Sequence, residues 1–399
     1  MNETLPCMPV HRDSLLDPPA EYHQLREEQP LTRVRFPNGT TGWLVTRFEE
    51  GSQVFSDPRM SARRPRHDVP AEEGAEEAPF DPTFVMMDEP DHSLYRRLIA
   101  GRFTPKAVAQ RLQPYLDRIV DEHLAAIAAG PDTFDLVEAL ALPVPCLVIC
   151  ELLGVPAADR EGFHHATERM MDTGLSREER GAGAKWLIDY ITTLVAAKRS
   201  SGDTEGLLAD LIAIADEKDP ILTEAQLVGM GVLLLFAGHD TTAAMLGLSA
   251  LTLLTHPQQR RQFLDQPEKT RPAVEELLRY LTIVQFGLGR VALEDLEIGG
   301  ERIRRGELVV VAMPTANRDP RAFDNPDTPD FDRRMTRHLA FGYGVHQCLG
   351  QNIARAELST VLPRLFRRFP GLRLAVPADQ VPMDTYGTNY AVKKLMVTR

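Results

Sequence analysis

The stretch from Thr223 to Pro257 limits what this chain can become more than any other part of it. Thr223 followed by Gln226 has the form of a capping box, and GMGVLLLFAGHDTTAAMLGLSALTLLT then runs unbroken to Pro257. This predicts a helix over about 224–255, about 45 Å long at about 1.5 Å per residue, enough to cross a whole domain. Its apolar length would also suit a bilayer, but His239, Asp240, Thr241 and Thr242 stand at its centre, where charge is costly in lipid. It therefore reads as the buried central helix of a soluble protein, and the polar cluster inside it needs a chemical reason.

The rest of the chain suits such a core. Amphipathic spacing predicts helices at about 105–129, 136–153, 179–199 and 268–281. Strand-like stretches are short: 33–47, alternating around the turn dipeptide Asn38-Gly39, then 289–312 and 372–399. Residues 66–82 and 200–206 read as loops. With no internal repeat and no separating linker, we expect one mainly α domain over 1–399 with a small β portion. A net charge of −12 disfavours nucleic acid and anionic membranes as partners. The N-terminus shows no leader or anchor pattern, so a cytoplasmic monomer is expected. Four scattered cysteines, Cys7, Cys146, Cys150 and Cys348, suggest free thiols rather than disulfides or a zinc cluster.

Cys348 stands apart. In HLAFGYGVHQCLGQNIARAEL, Gly342, Gly344 and Gly350 surround it, and the residues after it have the composition of a helix. A thiol at a helix N-terminus meets free N–H donors and about half a positive charge, which favour the thiolate. The glycines let backbone come close to something flat. Such a thiolate can be a nucleophile or a metal ligand. As a nucleophile it would need His346 as base, but no orienting acid or amide stands out and the glycines go unexplained.

From Phe341 to Gly350 the segment matches Phe-Gly-x-Gly-x-His-x-Cys-x-Gly at every specified position, and in this it resembles the cytochrome P450 superfamily. Ala237-Gly238-His239-Asp240-Thr241-Thr242 is similar to that family's oxygen-activation motif, and the likeness extends through Glu276-x-x-Arg279 to Ala316-Asn317-Arg318-Asp319-Pro320. The resemblance implies the P450 fold and a haem b whose iron is bound by Cys348. Phe341, Gly342, Gly350 and Ala237 would lie against the macrocycle, and His92, Arg96, Arg290 and His346 would meet the propionates, with His338 as a further candidate. Asp240 and Thr241 would relay the protons that cleavage of O2 consumes. Taken alone, Thr241 reads as a hydroxyl bonded back to the preceding turn. Glu276 and Arg279 would form a structural ion pair; the family's usual third partner, an Arg before Phe-Asp, is replaced here by Asp330.

The resemblance further implies a monooxygenase that hydroxylates or epoxidises a bulky apolar molecule, such as a polyketide macrolide. Electrons would pass from NAD(P)H through a reductase and a ferredoxin docked near Arg333, Arg334, Arg337, Arg97, Arg102 and Lys106. The substrate wall would include Met86, Met87, Met170, Met171, Phe236, Val284, Phe286, Leu288 and the turn holding Thr388. A haem-binding sensor without turnover is the alternative, and it would have no use for an acid and a threonine in mid-helix.

Overall fold

Capping and burial set the long helix where the sequence places it. Thr223 Oγ1 accepts from the Gln226 N–H at 3.2 Å and Gln226 Oε1 accepts from the Thr223 N–H at 2.9 Å. The helix that follows runs Glu224–Thr255. The structure, a computed structural model, describes residues 5–37, 39–63, 84–171, 176–285, 288–334, 337–385 and 388–399. Helices Pro143–Leu153, Arg177–Ser201, Gly206–Ala215, Thr270–Leu281 and Gln351–Arg368 pack around the central one. Of its most apolar stretch, 67% is buried inside the protein, which accounts for its length without a membrane. Leu227, Leu235, Leu248, Leu251 and Leu253 are fully enclosed, each contributing about 2 kcal/mol by burial.

The predicted helices form with local changes. The first is interrupted by a wide π turn at Val108–Leu112 before Gln113–Ala129, and the second by another at Val137–Ala141 before Pro143–Leu153. Pro143 occupies the first turn of its helix, where a missing N–H costs nothing. The third, Arg177–Ser201, begins earlier than its periodicity suggests because Ser176 and Glu179 form a capping box.

The β portion is a five-stranded sheet, β1 (Leu31–Arg35), β2 (Thr41–Val45), β3 (Met60–Ser61), β4 (Arg290–Ala292) and β5 (Leu308–Val311), in the order β1-β2-β5-β4-β3. β1 and β2 form the expected antiparallel hairpin, with Leu31 opposite Val45, although Asn38 of its turn lies outside the described residues. β2 pairs in parallel with β5, and Gly42 permits this: a Cβ there would lie 2.5 Å from Leu308 O. β4 runs antiparallel to β5 and carries Arg290 toward the cysteine loop. Near the C-terminus, Met396–Thr398 pairs with Thr133–Asp135 and Arg373–Leu374, and Met383–Asp384 pairs with Ala391–Val392.

Candidate active site

The cysteine loop is folded by its glycines. Gly342 and Gly344 have φ of +68° and +73°, and a Cβ on Gly344 would strike Phe55 O at 2.6 Å, so the loop lies close against helix Phe48–Ser56. The Cys348 N–H donates to Phe341 O at 2.8 Å, and Gly350 caps helix Gln351–Arg368. Cys348 is surrounded by protein on most sides, yet its side chain keeps exposed surface. Burial pushes its thiol up. The N–H groups of Gly350 and Gln351 and the charges of Arg96 and Arg355 oppose that and favour the anion. The helix start alone therefore does not make a thiolate here, because burial in the apolar interior outweighs it. A cation at the sulfur would reverse the balance.

Around the loop stand basic side chains from distant segments. Arg96, on helix Asp91–Ala100, donates through Nη2 to Gln347 O at 2.6 Å. The His92 and His346 rings meet with centroids 4.0 Å apart. Burial, then the charges of Arg290 and His92, bring His346 down to about 4. His92 is likewise lowered by burial against a bond to Glu89. Its Nδ1 lies 3.3 Å from Glu89 Oε1, while Nε2 is buried with no hydrogen-bond partner among the described residues. Arg290 is nearly enclosed, over the Phe55 ring. His338 instead joins a structural cluster: its Nε2 bonds Glu275 Oε2 at 3.0 Å, and Arg355 donates to the same carboxylate. Burial raises Glu275, but these two partners outweigh it and hold it at about 2.

The central helix opens where its polar cluster lies. Phe236 is 41% exposed and Ala237 is exposed, and Gly238, Asp240 and Thr241 are half-buried, between the mostly buried stretches 227–235 and 242–253. Thr241 Oγ1 donates to Ala237 O at 2.8 Å, the back-bonded arrangement, which leaves its oxygen able to accept. Asp240 is raised by burial and accepts from Asn389 Nδ2 at 2.7 Å.

Below the site, Arg279 donates through Nε and Nη2 to Glu276 at 2.8 and 2.7 Å. Arg333 Nε reaches both Glu276 oxygens, at 3.2 and 3.1 Å, so the third partner is Arg333, two residues after Phe331 rather than before it. This corrects the placing of Arg333 in a docking patch, since its side chain is 8% exposed and committed to the buried pair. Arg102 and Arg337 are engaged with Asp210 and Glu49, and Arg97, Arg334, Arg337 and Lys106 are the exposed cations of that set.

The protein-family model for Cytochrome P450 matches residues 268–394. Cytochrome P450 105C1 of a Streptomyces species is 44% identical over 95% of this chain and 95% of its own length. The chain belongs to the cytochrome P450 family. Among solved structures, the LnmA cytochrome P450 hydroxylase from the leinamycin pathway of Streptomyces atroolivaceus superimposes with a TM-score of 0.88 at 40% identity, over 98% of this chain and 99% of that one. The structure of CYP105P1 with filipin I gives 0.90 at 38% identity, over 99% and 98%.

Membership makes this P450 an oxidoreductase and implies a haem iron. The residues present fit that group. A buried, unpartnered imidazole nitrogen on His92 lies among His346, Arg290 and Arg96, which together suit carboxylates. The side chain of Cys348 keeps exposed surface, and a Cβ on Gly350 would come within 3.9 Å of its sulfur. Of the substrate candidates, Val284 and the turn at Thr388 come together, the Gln285 N–H donating to Thr388 O at 2.9 Å, and Leu288 is 43% exposed. Met86 ends the turn Phe84–Met86, half-buried, and Met87 packs on the core. Phe286 and most of 61–87 lie outside the described residues, as do the side chains of Met170 and Met171. Sequence reasoning passed over Asn317, which accepts from the Leu339 N–H at 2.7 Å and from Arg279 Nη1 at 2.7 Å. Its place in the Ala316–Pro320 stretch was the available signal.

Proposed function

We propose that this P450 inserts one atom of O2 into a bulky, mostly apolar secondary metabolite of the macrolide type, by hydroxylation or epoxidation. The other oxygen leaves as water, and the reaction consumes two electrons and two protons. The observation that carries this reading is the pairing of two features. A cysteine sulfur bonded by two backbone N–H groups keeps exposed surface deep in the fold, and the unbroken central helix is exposed at Phe236 and Ala237, just before an acid followed by a threonine.

In this reading Cys348 binds the iron of haem b, and His92, Arg96, Arg290 and His346 hold its propionates, with Phe341, Gly342, Gly350 and Ala237 against its faces. Bound there, the haem would supply the oxygen-activating chemistry, and the thiolate of Cys348 would be its protein ligand. Asp240 gives up protons, resupplied from water, and Thr241 accepts and passes hydrogen bonds at the open face. Met86, Val284, Phe286, Leu288 and Thr388 shape the wall against the substrate. Solved relatives support the substrate class: one belongs to the leinamycin pathway and another holds filipin I. Electrons come from NAD(P)H through a reductase and a ferredoxin, and the protein works as a single-domain cytoplasmic monomer.

Purified protein is expected to give the thiolate-type absorption band when reduced under carbon monoxide, and Cys348→Ser to lose it. With ferredoxin, reductase and NAD(P)H it should oxygenate a macrolide whose addition shifts the resting spectrum. Absence of the thiolate band in folded, haem-supplemented protein would overturn the assignment of Cys348. Tight macrolide binding with no oxidised product under any reductant would overturn the monooxygenase reading in favour of a sensor.

A further inference from the structure

Asp240 does not stand free at the centre of its helix. Its carboxylate is held from across the site by a side chain 149 residues later in the chain, Asn389, whose Nδ2 donates to Oδ2 at 2.7 Å. Asn389 is itself fixed at the backbone. It forms an antiparallel bridge with Val284, flanked by the Gln285 N–H donating to Thr388 O at 2.9 Å and the Tyr390 N–H donating to Ile283 O at 2.8 Å. Gln285 Nε2 adds a bond to Thr385 O at 3.2 Å. An N-terminal strap braces the same junction: Arg12 donates to Gln285 Oε1 at 3.2 Å and lies 3.8 Å over the Tyr390 ring, and Tyr390 Oη donates to Leu15 O at 2.9 Å. The segment that carries Val284 and Thr388 therefore cannot shift without carrying Asn389 with it.

We infer that Asn389 is a positioning residue that orients Asp240 for proton delivery and makes that orientation depend on the substrate-facing segment at Val284 and Thr388. The inference rests on Asp240 acting in the relay, as proposed above. A ligand pressing on Val284 is felt at the acid through one bridge and one hydrogen bond, so contact with substrate and readiness of the proton donor are mechanically linked.

The chemistry of the bond gives it a signature. An amide N–H donates to the ionised carboxylate and favours it, whereas burial, the larger influence, favours the neutral acid. Among the described residues, the charge whose field bears on Asp240 is that of Asp384, on strand Met383–Asp384, and it acts in the same direction as burial. The neighbouring helix Pro143–Leu153 meets this part of the central helix through the apolar side chain of Ile149 at Gly238. Asn389 is thus the described partner whose hydrogen bond favours the ionised form of Asp240 against burial and Asp384.

The test uses the haem-loaded protein in its resting state and in turnover. Infrared difference spectra would follow the protonated-carboxyl band of Asp240, assigned by its loss in Asp240→Asn, as pH is varied. Asn389→Ala should move that titration to higher pH. Asn389→Asp, nearly isosteric and placing a second carboxyl there, should move it further and covers the case in which the alanine variant folds poorly. In turnover, both variants should lose about tenfold in coupled product, with peroxide rising and substrate affinity changed little. An unaltered carboxyl titration in both variants overturns the inference, while coupling lost in Asp240→Asn leaves the relay standing. If Asp240→Asn keeps full coupling, the relay itself falls and the inference with it. An effect of Asn389→Ala that persists undiminished in the Asp240→Asn background also overturns it, because the residue then acts on something other than the acid.

Discussion

Removing the Arg333 guanidinium isolates the residue that completes the buried ion pair. Arg333→Ala takes away the bonds at 3.2 and 3.1 Å to Glu276, whose carboxylate is 1% exposed, and strips donors from the carbonyls of Asp324, Asn325 and Thr328. Arg279 still neutralises Glu276 through two bonds, so the loss should fall at the lower end of the 3–5 kcal/mol range for breaking a buried pair, about 3 kcal/mol. For 399 residues the unfolding entropy is about 0.8 kcal/mol per kelvin, giving a fall of about 4 °C in Tm. Arg333→Lys restores the charge but not the fork, and should recover only part of it. Thermal unfolding followed by circular dichroism measures the shift, and the reduced carbon monoxide spectrum reports whether the cysteine loop survives. A Tm within a degree of the parent protein for Arg333→Ala would refute the reasoning, since Glu276 would then be satisfied by Arg279 and the Asp330 N–H without Arg333.

Other perturbations test separate parts of the structure. Glu357, in helix Gln351–Arg368, is 1% exposed, its Oε2 has no hydrogen-bond partner among the described residues, and burial raises its carboxyl well above the usual range. The folded state keeps this proton while the unfolded chain releases it, so the stability it contributes is present at low pH and lost as pH rises. Glu357→Gln should therefore gain stability over the parent progressively as pH rises above the ordinary carboxyl range, by at most about 1.4 kcal/mol per pH unit, as read from denaturant midpoints; a pH-independent difference would contradict this. Asn317→Ala strands the Leu339 N–H in the interior and should cost about 2 kcal/mol together with haem retention on dilution, whereas loss of stability with full retention would separate Asn317 from the cysteine loop. Thr241→Ala should keep substrate binding and divert reducing equivalents to peroxide, measured against NAD(P)H consumed; unchanged coupling would remove Thr241 from the relay.

What the chain determines by itself is what depends on neighbours in sequence. The capping box at Thr223 and Gln226 acts over three residues, the hairpin of β1 and β2 over a short turn, and the loop around Cys348 on glycines that alone tolerate its φ values. These features, and with them the central helix and the cysteine, are legible because propensity and motif spacing are local. Tertiary packing decided the rest. Arg333 reaches Glu276 across 57 residues and Asn389 reaches Asp240 across 149, and neither pairing has a periodicity that spacing could display. The charge of Cys348 was also decided there: its local N–H donors favour the anion, but only the folded interior sets the burial that opposes them. Short-range geometry is written residue by residue, while desolvation and long-range hydrogen bonds come into being only when distant segments close around the same volume.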